Sequence, residues 1–206
     1  QFAGRHPAGL AGTHIHHLAP ASRTRVNWHI GYQDVVALGH LLQTGRILST
    51  RVLSRSGAGF GSPGLVRAPL GARLSDLMPV TSGQVLLSGS ILSGRARDFL
   101  GRHDFQVTRA DPNRPIRRGI FDRLPIAPRG ATLPLEAFEE AFPFDILPVP
   151  LMRALAVGDV ETAERLGCLE LIEEDLALLC ALCPSGADYG ALLRRVLTTL
   201  ADEAPL

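Results

Sequence analysis

Between Asp111 and Pro134 the chain carries five prolines (Pro112, Pro115, Pro125, Pro128, Pro134) and seven charged residues. Proline fixes φ and removes a backbone donor, so such a stretch reads as extended connection and not as core. It divides the 206 residues into two parts that must bury their apolar surface separately. The patterns on its two sides differ. Before it lie short segments punctuated by glycine; after it the apolar spacing is helical.

Residues 1–48 read as the C-terminal part of an α/β, Rossmann-like layer. A Gly-, Pro- and His-rich start contains one short strand at Thr13–Leu18, and Val26–Ile30 is a second strand candidate. Tyr32–Gln43 has helical spacing through Val35, Val36, Leu38, Leu41 and Leu42, with Gly45 placed to end the helix. Ile47–Leu53 then completes a βαβ-like unit whose earlier strands would lie upstream of Gln1. Residues 49–110 read as a small β-grasp-like module. It has a glycine and serine loop at Ser54–Pro63, a strand at Leu65–Ala68, a turn at Gly71 and a short helix at Leu74–Met78. A strand at Gln84–Ser88, a tight turn at Gly89–Gly94 and a last strand at Phe105–Thr108 complete it. Beyond the linker at 111–134, residues 135–206 form a helical bundle. Its helices run over Leu151–Val157, from an Asp159 cap to Leu166, and from Glu173 or Glu174 along a stripe of Ile172, Leu176, Leu179 and Cys183. The last starts at an Asp188 cap. The fold class expected is α+β.

Charge and composition exclude several functions. The formal charge is +1, from 21 basic and 20 acidic residues, which does not make the basic surface a nucleic-acid binder needs. All the basic residues are arginine, so neither a Walker-type phosphate loop nor a Schiff-base lysine can be built from this stretch. No apolar run reaches the ~18–20 residues that span a bilayer. Cys168, Cys180 and Cys183 cluster in the last quarter, an odd set that suits a reducing compartment and not a disulfide framework.

Each conspicuous motif has a chemical reading and a plainer one. Cys180-Ala-Leu-Cys183-Pro184 looks like the end of a ferredoxin-type cluster loop, but a four-iron cluster takes four thiolates and the chain has three. The cysteines also fall on an apolar helix face, where a free thiol packs as a small hydrophobe, and that reading is favoured. His14-Ile15-His16-His17 places two imidazoles on one face of a strand, as metal-dependent hydrolases do, yet the further ligands such enzymes gather across a barrel have no matching spacing. Gly57-Ala58-Gly59-Phe60-Gly61 lacks the spacing of a dinucleotide loop, and Gly89–Gly94 lacks that of a nucleophile elbow. Glu170, Glu173, Glu174 and Asp175 suit a helix's first turn, with a cation or partner contact as the functional alternative. No catalytic, cofactor-binding or metal-ligating residue is assigned.

Collinear segments add a resemblance. Gly9–Leu18 (GLAGTHIHHL), Val26–Val35 (VNWHIGYQDV), Leu65–Ala72, Ser88–Arg95, Phe144–Pro148, Val157–Asp159, Leu166–Leu171, Glu173–Leu178 and Tyr189–Arg194 resemble the NqrA family of the sodium-pumping NADH:quinone oxidoreductase, in its carboxy-terminal portion. The region Val107–Ile126 is shorter and richer in proline than that family leads one to expect, and His17 stands where an aromatic is common. The family is similar in architecture to the flavin-carrying subunit of complex I and to the C subunit of Rnf complexes. The resemblance implies a peripheral subunit holding neither flavin nor iron–sulfur cluster, its helical domain a degenerate cluster domain. It implies docking on membrane subunits, chiefly the quinone-associated one, at the cytoplasmic face of a bacterial inner membrane, with membrane contact indirect. NADH and ubiquinone would be substrates of the complex. The alternatives are a hydrolase using His14 and His16, or a small metal protein using Cys168, Cys180 and Cys183.

Overall fold

The computed structural model describes residues 1–57, 64–111 and 130–203. It is a mixed α/β chain with a five-stranded sheet and several helices. Contacts divide it into two compact units, one of residues 1–28 together with 130–203, the other of residues 29–111, among those described.

Helix α1 (Ala11–Leu18) belongs to the first unit, and the second opens on α2, Tyr32–Thr44. Helix α2 ends where the sequence places its stop. Gly45 adopts φ 68° and its N–H returns to the Leu41 carbonyl at 2.8 Å, a left-handed cap that glycine adopts without strain. Then come β1 (Thr50–Gly57), β2 (Gly64–Pro69), the short helix α3 (Leu74–Leu77), β3 (Val85–Ser88), β4 (Arg95–Ala96) and β5 (Gln106–Ala110). The order across the sheet is β2-β1-β5-β3-β4. β1 runs parallel to β5, with Ser54 opposite Gln106, and the other pairings are antiparallel. Leu53 on β1 and Val107 on β5 are fully buried in a core closed by Ala68, Leu74, Met78, Leu86 and Leu100. Gly57 sits at φ 134° on the last rung of the parallel pair, where a side chain would run into the backbone of Arg109. That close approach, and no ligand loop, accounts for the first glycine of the Gly57–Gly61 motif; residues 58–61 lie outside the described residues.

The first unit contains, besides α1, helices α4 (Glu136–Ala141), α5 (Pro148–Val157), α6 (Val160–Arg165), α7 (Ala177–Leu182) and α8 (Tyr189–Glu203). Two 3-10 turns, Cys168–Glu170 and Glu173–Leu176, connect α6 to α7. Local capping sets most boundaries. Pro148 opens α5, which Gly158 closes at φ 74°. Asp159 accepts the Thr162 N–H at 3.0 Å and Asp188 accepts the Ala191 N–H at 2.9 Å, starting α6 and α8. Phe138, Leu151, Met152, Leu155, Leu176, Leu179, Tyr189 and Leu193 are essentially fully buried at the centre. Helix α1 packs against both 3-10 turns.

The structure corrects several expectations. Thr13–Leu18 is helix, not strand, and Val26–Ile30 forms no strand. The βαβ-like unit is therefore absent among the described residues, and the strand expected at Ile47–Leu53 starts only at Thr50. The stretch 1–48 supplies residues to both units, which part between Trp28 and His29. Ser54–Gly57 belongs to β1 and not to a loop; residues 58–63 lie outside the described ones. Residues 112–129 of the linker also lie outside them, but its end is core: Thr132 is 7% exposed and shares a 2.8 Å hydrogen bond with the buried Tyr189 hydroxyl.

Candidate functional site

The histidines, cysteines and acidic residues that the sequence marked as chemical lie in the first unit, and most of them have a structural task there. On helix α1 residues two apart point roughly 200° away from each other, so His14 and His16 do not share a face. His14 Nε2–H donates to the Ala8 carbonyl at 2.9 Å, and His17 Nε2–H to the Pro143 carbonyl at 3.0 Å. His16 accepts the Asp145 N–H at Nε2, 3.0 Å, so its proton sits on Nδ1 and is donated to Glu170 at 2.6 Å. With both ring nitrogens engaged, His16 is a strut between α1 and the first 3-10 turn. The paired-imidazole hydrolase reading fails on this geometry. Among the described residues no three His, Cys, Asp or Glu side chains are gathered as a metal site.

The acidic cluster divides by role. Glu170 takes His16, and Glu173 takes Arg194 at 2.5 Å, which holds its carboxyl below the usual range. Asp175 is 1% exposed. Its Oδ2 accepts the Ile172 N–H at 2.9 Å, capping the second 3-10 turn, while Oδ1 has no hydrogen-bond partner among the described residues. Burial pushes this carboxyl up to about 6, against the opposing Ile172 hydrogen bond. Gly12 lies directly over it: a Cβ at Gly12 would overlap both carboxylate oxygens.

The cysteines are free thiols. Burial pushes Cys168 and Cys180 up to about 11, so both are protonated at neutral pH. Cys183 Sγ lies 3.0 Å from the Ser185 hydroxyl and 3.5 Å from that of Tyr189. Burial also raises the Tyr189 phenol, with Cys183 adding to the shift.

The concave feature is elsewhere, in the second unit, where the sequence offered no candidate. A groove of about 380 Å³ lies between α2 and the face of β1 and β2. Tyr32, Val36, Leu48, Leu65, Leu70 and Phe105 supply its apolar wall. Its polar end is rigid. Gln33 pairs with the backbone of Val52 as a neighbouring strand would, donating to its carbonyl at 2.8 Å and accepting its N–H at 2.9 Å. Arg51 donates to Asp34 at 3.1 Å and to the Arg102 carbonyl at 2.7 Å, and its guanidinium lies 4.2 Å over the Phe105 ring. Such an arginine is held by three contacts and presents a fixed positive edge beside an aromatic face. The groove can take a flat apolar ring carrying hydrogen-bond acceptors. Sequence reasoning missed Gln33, Arg51 and Phe105 because their partners are 17 to 54 residues away, and nothing local marks them. No helix among the described residues is long and apolar enough to cross a membrane.

Comparison with known proteins places these units in a class: they are similar to part of the quinone-reducing, sodium-translocating complexes. Residues 1–47 match the family described as the NqrA second alpha/beta domain. Relatives named as the A subunit of Na(+)-translocating NADH-quinone reductase run along 98% of the chain; that of Tolumonas auensis is 40% identical, that of Cellvibrio japonicus 42% and that of Pasteurella multocida 40%. The chain spans about half the length of the curated relatives it matches, 53% in each of these three. Over a C-terminal portion of that length, the chain is a homologue of the NqrA family of Na(+)-translocating NADH-quinone reductases.

Proposed function

We propose that the chain serves as part of a peripheral subunit of a sodium-pumping NADH:quinone oxidoreductase, binding no cofactor itself and docking on the membrane subunits at the cytoplasmic face. NADH oxidation and electron transfer belong to other subunits in this reading. The observation that carries it is the match to NqrA relatives over 98% of the chain. A further feature supports it: His14, His16 and His17 are consumed by structural hydrogen bonds. Within that function the second unit acts as a β-grasp-like module, a reading supported by a parallel β1–β5 pair at the centre and by a helix between β2 and β3. The first unit's helices are read as a degenerate cluster domain, as the resemblance of the sequence implies. The groove beside Arg51 contributes to quinone binding, its aromatic wall stacking the ring and its guanidinium meeting a quinone oxygen.

Affinity purification of the tagged full-length subunit from mild detergent extracts tests the docking. Recovery with integral membrane subunits is expected; recovery alone would overturn it. For the groove, titration of a short-chain ubiquinone followed by backbone amide shifts should perturb α2, β1 and Phe105. The Arg51→Ala variant should weaken binding by on the order of tenfold, the loss of one charge-assisted hydrogen bond. Shifts confined to other regions, or unchanged affinity in the variant, would remove the groove from the proposal.

A further inference from the structure

The polar end of the groove holds a charge and its counter-charge, and the arginine is the more deeply sunk of the two. The side chain of Arg51 is 10% exposed and that of Asp34 42%. A guanidinium has five N–H groups to give. Here one goes to Asp34 at 3.1 Å and one to the Arg102 carbonyl at 2.7 Å, and the others take no partner among the described residues. Phe105 lies 4.2 Å under the guanidinium and covers one of its faces, so an incoming group meets the edge. Asp34 is placed by the chain around it. It lies in the first turn of α2, where the helix dipole favours a carboxylate. Gly31, just ahead of that helix, leaves room for it: a Cβ there would come within 3.1 Å of Asp34 Oδ2.

A guanidinium alone in such a place would select anions. Buried charge is costly unless it is paired, and a carboxylate or phosphate is the partner whose geometry fits arginine best. Here the pairing is already made inside the chain. An anion entering beside Arg51 meets the attraction of the guanidinium together with the repulsion of the carboxylate bonded to it, two contributions of opposite sign and similar range. It must also give up its hydration shell against an apolar wall. A neutral ring carbonyl gives up far less and still accepts the unused N–H groups. The groove's other charged lining residue, Arg67, is exposed on β2, and a charge in open water holds an anion weakly. We propose that Asp34 is a specificity-determining residue: by neutralising Arg51 in place, it makes the groove a site for uncharged, carbonyl-bearing rings and turns away rings that carry a carboxylate. The inference rests on the reading of the groove as a quinone site and deepens it by fixing the charge of the ligand accepted.

Paired titrations of the full-length subunit, with a short-chain ubiquinone and with benzoate, test it by calorimetry. The parent should bind the quinone about tenfold more tightly than benzoate, or better. Asp34→Asn keeps an acceptor oxygen for Arg51 and removes the charge. Benzoate should then bind on the order of tenfold more tightly than it does to the parent, the gain of a charge-assisted hydrogen bond no longer opposed. Quinone affinity should change by no more than about twofold, since the guanidinium stays in place. Asp34→Glu keeps the charge and should keep the parent's preference. If Asp34→Asn does not fold, Asp34→Ser, equally uncharged, carries the same comparison. An Asp34 that serves the structure alone would weaken both ligands together and leave their ratio unchanged, and that result would overturn the inference. So would a parent that takes benzoate as tightly as the quinone. A parent that binds no quinone would instead remove the reading of the groove, and the inference with it; the quinone titration of the parent tells these failures apart.

Discussion

Replacing Gly12 by alanine separates two effects that usually travel together. In an open helical position alanine is worth roughly 1 kcal/mol over glycine, because glycine loses more backbone freedom on folding. At Gly12 the added methyl would overlap Oδ1 and Oδ2 of Asp175. The carboxylate cannot simply turn away: it is 1% exposed and its Oδ2 caps the 3-10 turn through the Ile172 N–H. Either α1 lifts off the turn or the cap breaks, a class of overpacking that costs about 1–3 kcal/mol. An overlap this deep takes the upper part of that range, about 2–3 kcal/mol, so the net expectation after the gain of about 1 kcal/mol is a destabilisation of about 1–2 kcal/mol. For a chain of this size that lowers the thermal midpoint by roughly 2–8 °C, at about 2–4 °C per kcal/mol. Gly39 in α2 is the control, since nothing lies within 4 Å of where its Cβ would be; Gly39→Ala should raise the midpoint. Asp175→Ala should cost less in the Gly12→Ala background than alone, with a coupling of about 1 kcal/mol. Melting followed by circular dichroism measures all four. If Gly12→Ala melts at or above the parent, the packing of α1 onto Asp175 is refuted.

Three other perturbations follow from the same chemistry. Because the folded Asp175 carboxyl titrates at about 6 and its ordinary value is 3.8, the native state binds a proton that the unfolded chain has lost between those pH values. Its contribution is thus greatest below about pH 4 and falls as pH rises to about 6, by at most about 3 kcal/mol. Asp175→Asn should abolish that slope in denaturation measured from pH 4 to 7, and parallel curves for the two proteins would disprove the burial of a charge. Tyr189→Phe removes the hydroxyl that meets Thr132, Ser185 and Cys183. It should cost about 1–3 kcal/mol by stranding buried polar groups; denaturant titration would show no change if the network carries no weight. Finally, a thiol titrating near 11 has roughly a hundredfold less thiolate than an ordinary one at neutral pH. Ellman's reagent should therefore consume Cys180, though it is only half-buried, far more slowly than free cysteine until denaturant is added.

The parts of the fold legible in the sequence are those settled within one or two turns of chain. Gly45 ends α2, Pro148 opens α5, Asp159 and Asp188 start α6 and α8, and the turn at Gly71 separates β2 from α3. Capping and left-handed glycines exchange hydrogen bonds with residues no more than four away, so the residue types alone mark them. The misread strands have an equally physical cause. Thr13–Leu18 has only two apolar residues, Ile15 and Leu18, in six positions, too few to tell a period of 2 from one of 3.6. What made it a helix is long-range: the His16–Glu170 strut and the seat of Gly12 on Asp175 join residues more than 150 apart. Separation in sequence, though shorter, also hid the groove, where Gln33 and Arg51 find their partners between α2 and β1.

Residue order alone thus settles the local punctuation, the absence of lysine chemistry, and a kinship carried by collinear segments. Folding settles which of the conspicuous residues are chemical at all. It turns three histidines into hydrogen-bonded struts, draws Thr132 from the linker into the core, and buries one acid of four. A side chain's protonation and availability depend on the solvent and partners around it, and those exist only once the chain has folded.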